Sequence, residues 1–347
     1  VHPSLLLPLL VCALAAAPVH AQFAASGRAT LLAGADTNAP RDYDATSAGQ
    51  DATASLVVDG QAQVARGPLR AFGDLSLGGR GFLRYGAENV FVSAGTAELE
   101  LQALETLSVS LLGSGKDRRG GQRDYTDGVG QALVTWAPDR RLQVRLRGGL
   151  HGFAYRPNPD YGFTAVEWGG TLSWRFDARH RVLGALDTGT RTYPSLARDE
   201  TGVPPGGAPR RQDGMLSASA AYEYRGPVRV RADYAWTEQR SNSFGETNLR
   251  HRLSALVGMR LPWELTAVVT GALQWTRFPD GIFLSSDILL ANDEENANSV
   301  SLRLARPVSD AVDVELRYAL FQYQLPANQL SYQRQVAFAG VSARWGD

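Results

Sequence analysis

Pairs of arginines two residues apart recur along this chain, at Arg145/Arg147, Arg229/Arg231 and Arg250/Arg252. On an extended backbone, residues i and i+2 point to the same side. Each pair therefore sets two fixed positive charges on one face, and such a stripe raises the local concentration of anions. Carboxylates share the pattern at Glu98/Glu100 and Asp313/Glu315. Two readings follow. The charges form a positive surface favouring anionic or polar solutes, or they pair across strands, with carboxylates such as Glu223 and Asp313, and keep a wet wall stiff.

Catalytic constellations are sparse. After residue 22, histidine occurs only at His151, His180 and His251. A serine nucleophile needs a base within hydrogen-bond reach, and no Ser/His pair stands out at strand-neighbour spacing. His180 falls in a short turn, His251 on the apolar register of its segment and His151 on the polar one. Gly113-Ser114-Gly115-Lys116 lacks the GxxxxGK[ST] spacing of a phosphate loop because Asp117 follows the lysine. It reads as a flexible turn in an external loop near 115–124. Asp293-Glu294-Glu295 could hold calcium, but solvated loop charge explains it more simply. No metal-ligand spacing appears. Neither enzymatic activity, a cofactor nor a metal site is expected.

The elements that must position these charges alternate with a period of two. Leu142, Val144, Leu146 and Leu150 oppose Gln143, Arg145 and Arg147; Val228, Val230, Ala232, Tyr234 and Trp236 oppose Arg229, Arg231 and Asp233. Val312, Val314, Leu316, Tyr318 and Leu320 oppose Asp313, Glu315 and Arg317. This is the signature of two-faced strands. If the apolar faces meet lipid, the other faces line a lumen. The candidate pore-lining residues are then Arg70, Asp74, Glu98, Glu100, Arg145, Arg147, Glu167, Arg175, Glu223, Arg225, Arg229, Arg231, Asp233, Arg250, Arg252, Arg303, Asp313, Glu315, Arg317 and Arg344. Arginine outnumbers carboxylate among them, 12 to 8.

Connections alternate short and long. Short ones are 66–68, 104–106, 138–140, 177–180, 225–227, 261–264 and 308–311; longer, Gly-, Pro- and Asx-bearing ones lie near 37–49, 84–89, 115–124, 156–161, 195–212, 241–247, 279–295 and 325–331. Together they imply an all-β, closed antiparallel transmembrane barrel of about 16 strands, alternatively about 18, with short periplasmic turns and longer external loops. Segments of about 10–15 residues suffice, since a tilted strand crosses hydrocarbon in about 9–11. Closure is required because backbone groups in lipid must be paired. A soluble sandwich would have to bury charged second faces in a dry core. Trp136, Trp174, Tyr222, Tyr224, Trp236 and Trp275 sit near the ends of apolar faces, where interfacial girdles belong. The loop at 195–212, with Pro204-Pro205-Gly206-Gly207, could fold inward as a constriction, although an ordinary exposed loop is the simpler expectation.

The block Leu5–Ala17, followed by Pro18-Val19-His20-Ala21, reads as a secretory signal. The expected organisation is a cleaved signal at 1–21 and a barrel at 22–347. The single cysteine, Cys12, lies in the signal, so the mature chain has no disulfide framework. Formal net charge is zero across 347 residues, which gives no electrostatic case for nucleic acid. The first alternating segment, about 23–36, starts directly after the signal and leaves no room for a folded plug.

Residues 336–347, VAFAGVSARWGD, put Ala337, Ala339, Val341, Ala343 and Trp345 on one face. This resembles the C-terminal signal strand of Gram-negative outer-membrane β-barrel, porin-like proteins, with Gly346-Asp347 following the aromatic. The resemblance implies an outer-membrane location, outer-membrane lipids as surroundings and the barrel-assembly machinery as a partner. The barrel size and arginine-bearing lumen are also similar to outer-membrane polysaccharide-export barrels. On that analogy the leading expectation is a conduit for a polysaccharide or similar polar or anionic polymer, with a periplasmic export partner. A general or anion-preferring diffusion porin, and a structural barrel with a blocked lumen, are the alternatives.

Overall fold

The computed structural model describes residues 22–41, 49–121, 123–281, 298–324 and 331–346. The strands are β1 (Gln22–Asp36), β2 (Asp51–Arg66), β3 (Leu69–Phe82), β4 (Val90–Leu104), β5 (Leu107–Gly120), β6 (Tyr125–Trp136), β7 (Leu142–Tyr155) and β8 (Phe163–Arg175). The second half comprises β9 (His180–Leu196), β10 (Arg210–Arg225), β11 (Val228–Ser241), β12 (Asn248–Arg260), β13 (Thr266–Arg277), β14 (Asn298–Pro307), β15 (Val312–Gln324) and β16 (Ser331–Gly346). Each pairs antiparallel with its chain neighbours, and β1 pairs with β16 to close the barrel at 16 strands. Closure removes the free edges that would leave ladder N–H and C=O groups bare in lipid.

The apolar register points outward. Leu146, Leu150, Leu172, Leu186 and Leu316 are each more than half exposed. A water-soluble surface does not carry such a continuous apolar band, whereas a hydrocarbon layer requires it. Trp136, Trp174, Tyr222 and Tyr224 lie on this outer register near the short-turn rim, and Trp236 and Trp275 lie on it near the long-loop rim. The two sets mark the two interfaces. His251 also faces outward. It stacks on Trp275 at 5.0 Å, and its Nδ1 lies 2.8 Å from the Tyr234 hydroxyl.

The β1–β16 seam is held by polar chemistry inside and by missing side chains. Arg334 forms a bidentate ion pair with Asp36, both without exposed surface. Gly340 lies opposite Leu32, and a Cβ there would run into the Leu31 carbonyl. Only glycine permits that approach.

Several expectations are corrected. β5 continues to Gly120, so Gly113-Ser114-Gly115-Lys116 lies inside a strand paired on both sides, not in a loop. Polar residues occupy both faces there because β5 extends towards the external rim, yet its ladder with β6 persists as far as Arg118 opposite Tyr125. The connection expected over 195–212 shortens to 197–209 because β9 and β10 extend into it. Val203 and Pro204 through Gly207 at its tip are exposed. Its base is tied sideways to the next external loop by Phe244 N–H to Arg198 O (2.9 Å) and Arg198 N–H to Ser243 Oγ (3.1 Å). Residues 1–21, Cys12 among them, and Asp293-Glu294-Glu295 lie outside the described residues.

Candidate functional site: the inner wall

Followed through the pairing registers, all 20 sequence-selected charges fall on the face opposite the apolar band. Arg70 and Asp74 sit on β3 and Glu98 and Glu100 on β4; Arg145 and Arg147 are on β7, and Glu167 and Arg175 on β8. Glu223 and Arg225 follow on β10, Arg229, Arg231 and Asp233 on β11, and Arg250 and Arg252 on β12. Arg303 is on β14, Asp313, Glu315 and Arg317 on β15, and Arg344 on β16.

The structure gathers some of them into networks. Near the short-turn rim, Glu315 has no exposed side-chain surface and accepts from three arginines. Arg303 donates Nε and Nη2 at 3.0 and 2.6 Å, Arg317 donates the same atoms at 2.9 and 2.7 Å, and Arg28 reaches across from β1. Asp313 accepts from Arg344 at 3.0 Å and Arg28 at 3.4 Å, while Ser342 Oγ accepts from Arg28 at 2.6 Å. Four guanidinium groups thus meet two carboxylates. Bidentate geometry of this kind is stronger and more directional than a lone charge contact.

A second network joins β9 to β11. Glu223 lies 3.1 Å from Arg225, 3.0 Å from Arg231 and 3.9 Å from Arg181, and Arg231 also clasps Asp233. Arg229 makes no ion pair among the described residues. A third spans β6–β8, where His151 contacts Glu167 through Nδ1 and Asp127 through Nε2, each at 2.9 Å. Beside it runs a row of rings on successive strands, Tyr125, Phe153, Phe163 and Tyr193, with centroids 5.5, 5.5 and 5.6 Å apart. Arg191 lies over Phe163 at 4.4 Å and Arg211 over Tyr193 at 4.0 Å, a placement that holds a long cation in one position. Arg147 pairs with Asp187, and Arg145 donates to Thr135 Oγ1 at 3.1 Å.

The charges also segregate around the ring. Asp59, Asp74, Glu98 and Glu100 share the inner face of β2–β4 with Arg70 and Arg80, an acidic surplus of four to two among these residues. Strands eight places away in a ring of 16 stand opposite, so this acidic sector faces the arginines of β10–β12. Asp59 accepts from Ser76 at 2.7 Å, whereas Asp74, Glu98 and Glu100 make no ion pair among the described residues. Opposite signs on facing walls set a field across the lumen.

Several participants were missed from sequence: Arg28, Asp127, Asp187, Arg191 and Arg211. In β9 the outer register carries Thr188, Thr190 and Thr192 while Leu183 and Ala185 face inward, so hydropathy does not separate its two faces. The one available signal is the strict period of two joining Asp187 to Arg191.

Two of the short turns share one device. Asp139 Oδ1 accepts from Arg141 N–H at 2.7 Å and Leu142 N–H at 2.8 Å; Asp177 Oδ1 accepts from Arg179 and His180 N–H at 2.7 and 2.8 Å. These backbone donors hold both carboxyls below the usual carboxylate range.

No protein-family model matches the chain, and no curated protein matches it in sequence. Solved structures do match in fold. OmpF of Salmonella typhi, in complex with daunomycin, aligns at 12% identity and a TM-score of 0.54, over 93% of this chain and 97% of that one. The outer-membrane channel DcaP of Acinetobacter baumannii aligns at 10% identity and 0.56, over 94% and 97%. A bacterial polysaccharide outer membrane secretin aligns at 9% and 0.46, over 93% and 98%, too distant to bear on cargo. The chain has the closed, porin-like β-barrel fold of Gram-negative outer-membrane proteins.

Proposed function

We propose that this barrel is a passive diffusion porin with a preference for small anionic solutes, acting without catalysis. The observation that carries the reading is the surplus of guanidinium on the inner wall: four against two around Glu315 and Asp313, three against two around Glu223 and Asp233. A barrel of this strand number is wide enough for an aqueous passage. Polymer export rested on the arginine-rich wall, and passage of small anions accounts for that wall without a dedicated periplasmic partner. The matched folds above a TM-score of 0.5 support small-solute passage, one being a channel and the other holding daunomycin. Insertion through the barrel-assembly machinery, with β16 as the presented strand, belongs to the same reading.

The test is swelling of liposomes containing the refolded protein in iso-osmotic solutes. Small sugars and organic acids should enter at rates that fall steeply with size, with acids ahead of neutral solutes of equal mass. Equal entry of long oligosaccharides would return the polymer conduit. No entry of any solute would favour a blocked structural barrel.

A further inference from the structure

A recess of about 400 Å³ opens in the inner wall across β6–β12. Its centre is one lateral row of the sheet, read through the registers as Arg147, Gly169, Asp187, Ser217, Thr237 and Arg250. Large side chains stand at its two ends and small ones lie between. The floor is shallow because Gly169 and Gly189 present no side chain to the lumen. Asp187 and Glu167 lie across these glycines closely enough that a Cβ would displace them.

The charges in the recess do not cancel. Three guanidinium groups, Arg147, Arg191 and Arg250, line it against two carboxylates, Asp187 and Glu167. Asp187 is engaged by Arg147, and Glu167 contacts His151, which it shares with Asp127, and lies within electrostatic reach of Arg191. Neither Arg191 nor Arg250 makes an ion pair among the described residues, and the buried Nε of each lacks a hydrogen-bond partner. Arg191 is fixed in place over Phe163. The two arginines arise from β9 and β12, three strands apart or about 14 Å of backbone, and both line the recess. Between them lie the hydroxyls of Ser217 and Thr237. Buried guanidinium donors without acceptors are costly to leave unmade, and an anion would satisfy both.

We propose that this recess is a binding subsite for a short organic dianion, with two anionic heads taken by Arg191 and Arg250 and a hydroxylated chain against Ser217 and Thr237. The proposal deepens the anion-porin reading and rests on it. Two separated forks match a two-headed ligand better than a single compact anion, and the hydroxyl lining suits a polar chain better than an aliphatic one.

L-malate serves as the probe, with acetate, inorganic phosphate and glucose as comparators at constant ionic strength. In planar bilayers, malate should block the wild-type current saturably, at concentrations at least about tenfold below those at which acetate or phosphate acts. Arg250→Gln and Arg191→Gln should each raise the half-blocking concentration about tenfold, the loss of one charge-assisted contact of about 1.4 kcal/mol. Arg250→Lys keeps the charge and should fall between. Phosphate blocking as strongly as malate, or a double Arg→Gln variant blocking like wild type, overturns the proposal. Should the folded protein carry no current, the porin reading fails while the subsite stays testable by calorimetry in detergent. Malate binding at one per chain, lost in Arg250→Gln, supports the subsite; no binding sinks it.

Discussion

Glu315 holds together the cluster of arginines at the short-turn rim. It is fully buried, on the inner face of β15, and is shared by Arg28, Arg303 and Arg317. Glu315→Ala leaves three guanidinium groups facing one another, of which Arg28 keeps Asp313 and Ser342 Oγ as acceptors. Breaking a buried pair by deleting one partner costs about 3–5 kcal/mol. Here the three arginines are 28, 30 and 35% exposed and can recover water, which moves the expectation to about 3 kcal/mol. Glu315→Gln retains one oxygen acceptor but turns an amide donor towards the cations, so it should lose about 2 kcal/mol. Urea titration of the protein in lipid vesicles, read by tryptophan fluorescence and by the heat-dependent gel shift of folded barrels, measures both. A loss below about 1 kcal/mol for Glu315→Ala, the range of ordinary surface changes, would refute the idea that this cluster is held by its acid. The same variant adds one net positive charge to the lumen, so its anion selectivity should rise.

Asp36→Ala should cost about 3–5 kcal/mol by removing the bidentate carboxylate from buried Arg334 at the β1–β16 seam, and the double change Asp36→Leu/Arg334→Met should recover part of it; a urea series of the three proteins decides. Gly340→Ala should impair closure, seen as loss of the heat-dependent gel shift, because its methyl meets the Leu31 carbonyl. The folded-state pKa values of Asp139 and Asp177 are depressed, so their contribution is present above the unfolded value, about 3.9, and is lost as pH falls through the folded value. Asp139→Asn/Asp177→Asn should therefore lower the urea midpoint at neutral pH, and the difference from wild type should shrink as acid protonates the wild-type carboxyls; a constant difference would contradict this.

The barrel was legible in sequence because each face of most strands meets a different solvent. β7, β11 and β15 alternate leucine, valine and tyrosine with charge, and the turn at each end carries its own glycine, proline or aspartate. The inner placement of Arg145, Arg231 or Glu315 follows directly from that period. Legibility failed where both faces are polar, as at Lys116–Arg119, where β5 extends towards the external rim and its composition matches that of a loop. It failed again in β9, whose outer threonines hid Asp187 and Arg191. Pairing partners were out of reach for a different reason. Arg28 meets Glu315 from 287 residues away, and only closure of β1 onto β16 makes them neighbours. The charge surplus could be counted from sequence, whereas which arginines remain uncompensated depends on register across six strands.

The most direct test is the zero-current potential of the purified, refolded protein in a planar bilayer under a tenfold potassium chloride gradient. A lumen with surplus arginine conducts and shifts the reversal potential towards the chloride value. A well-folded barrel that carries no current, or one that reverses towards the potassium value, would contradict the anion porin.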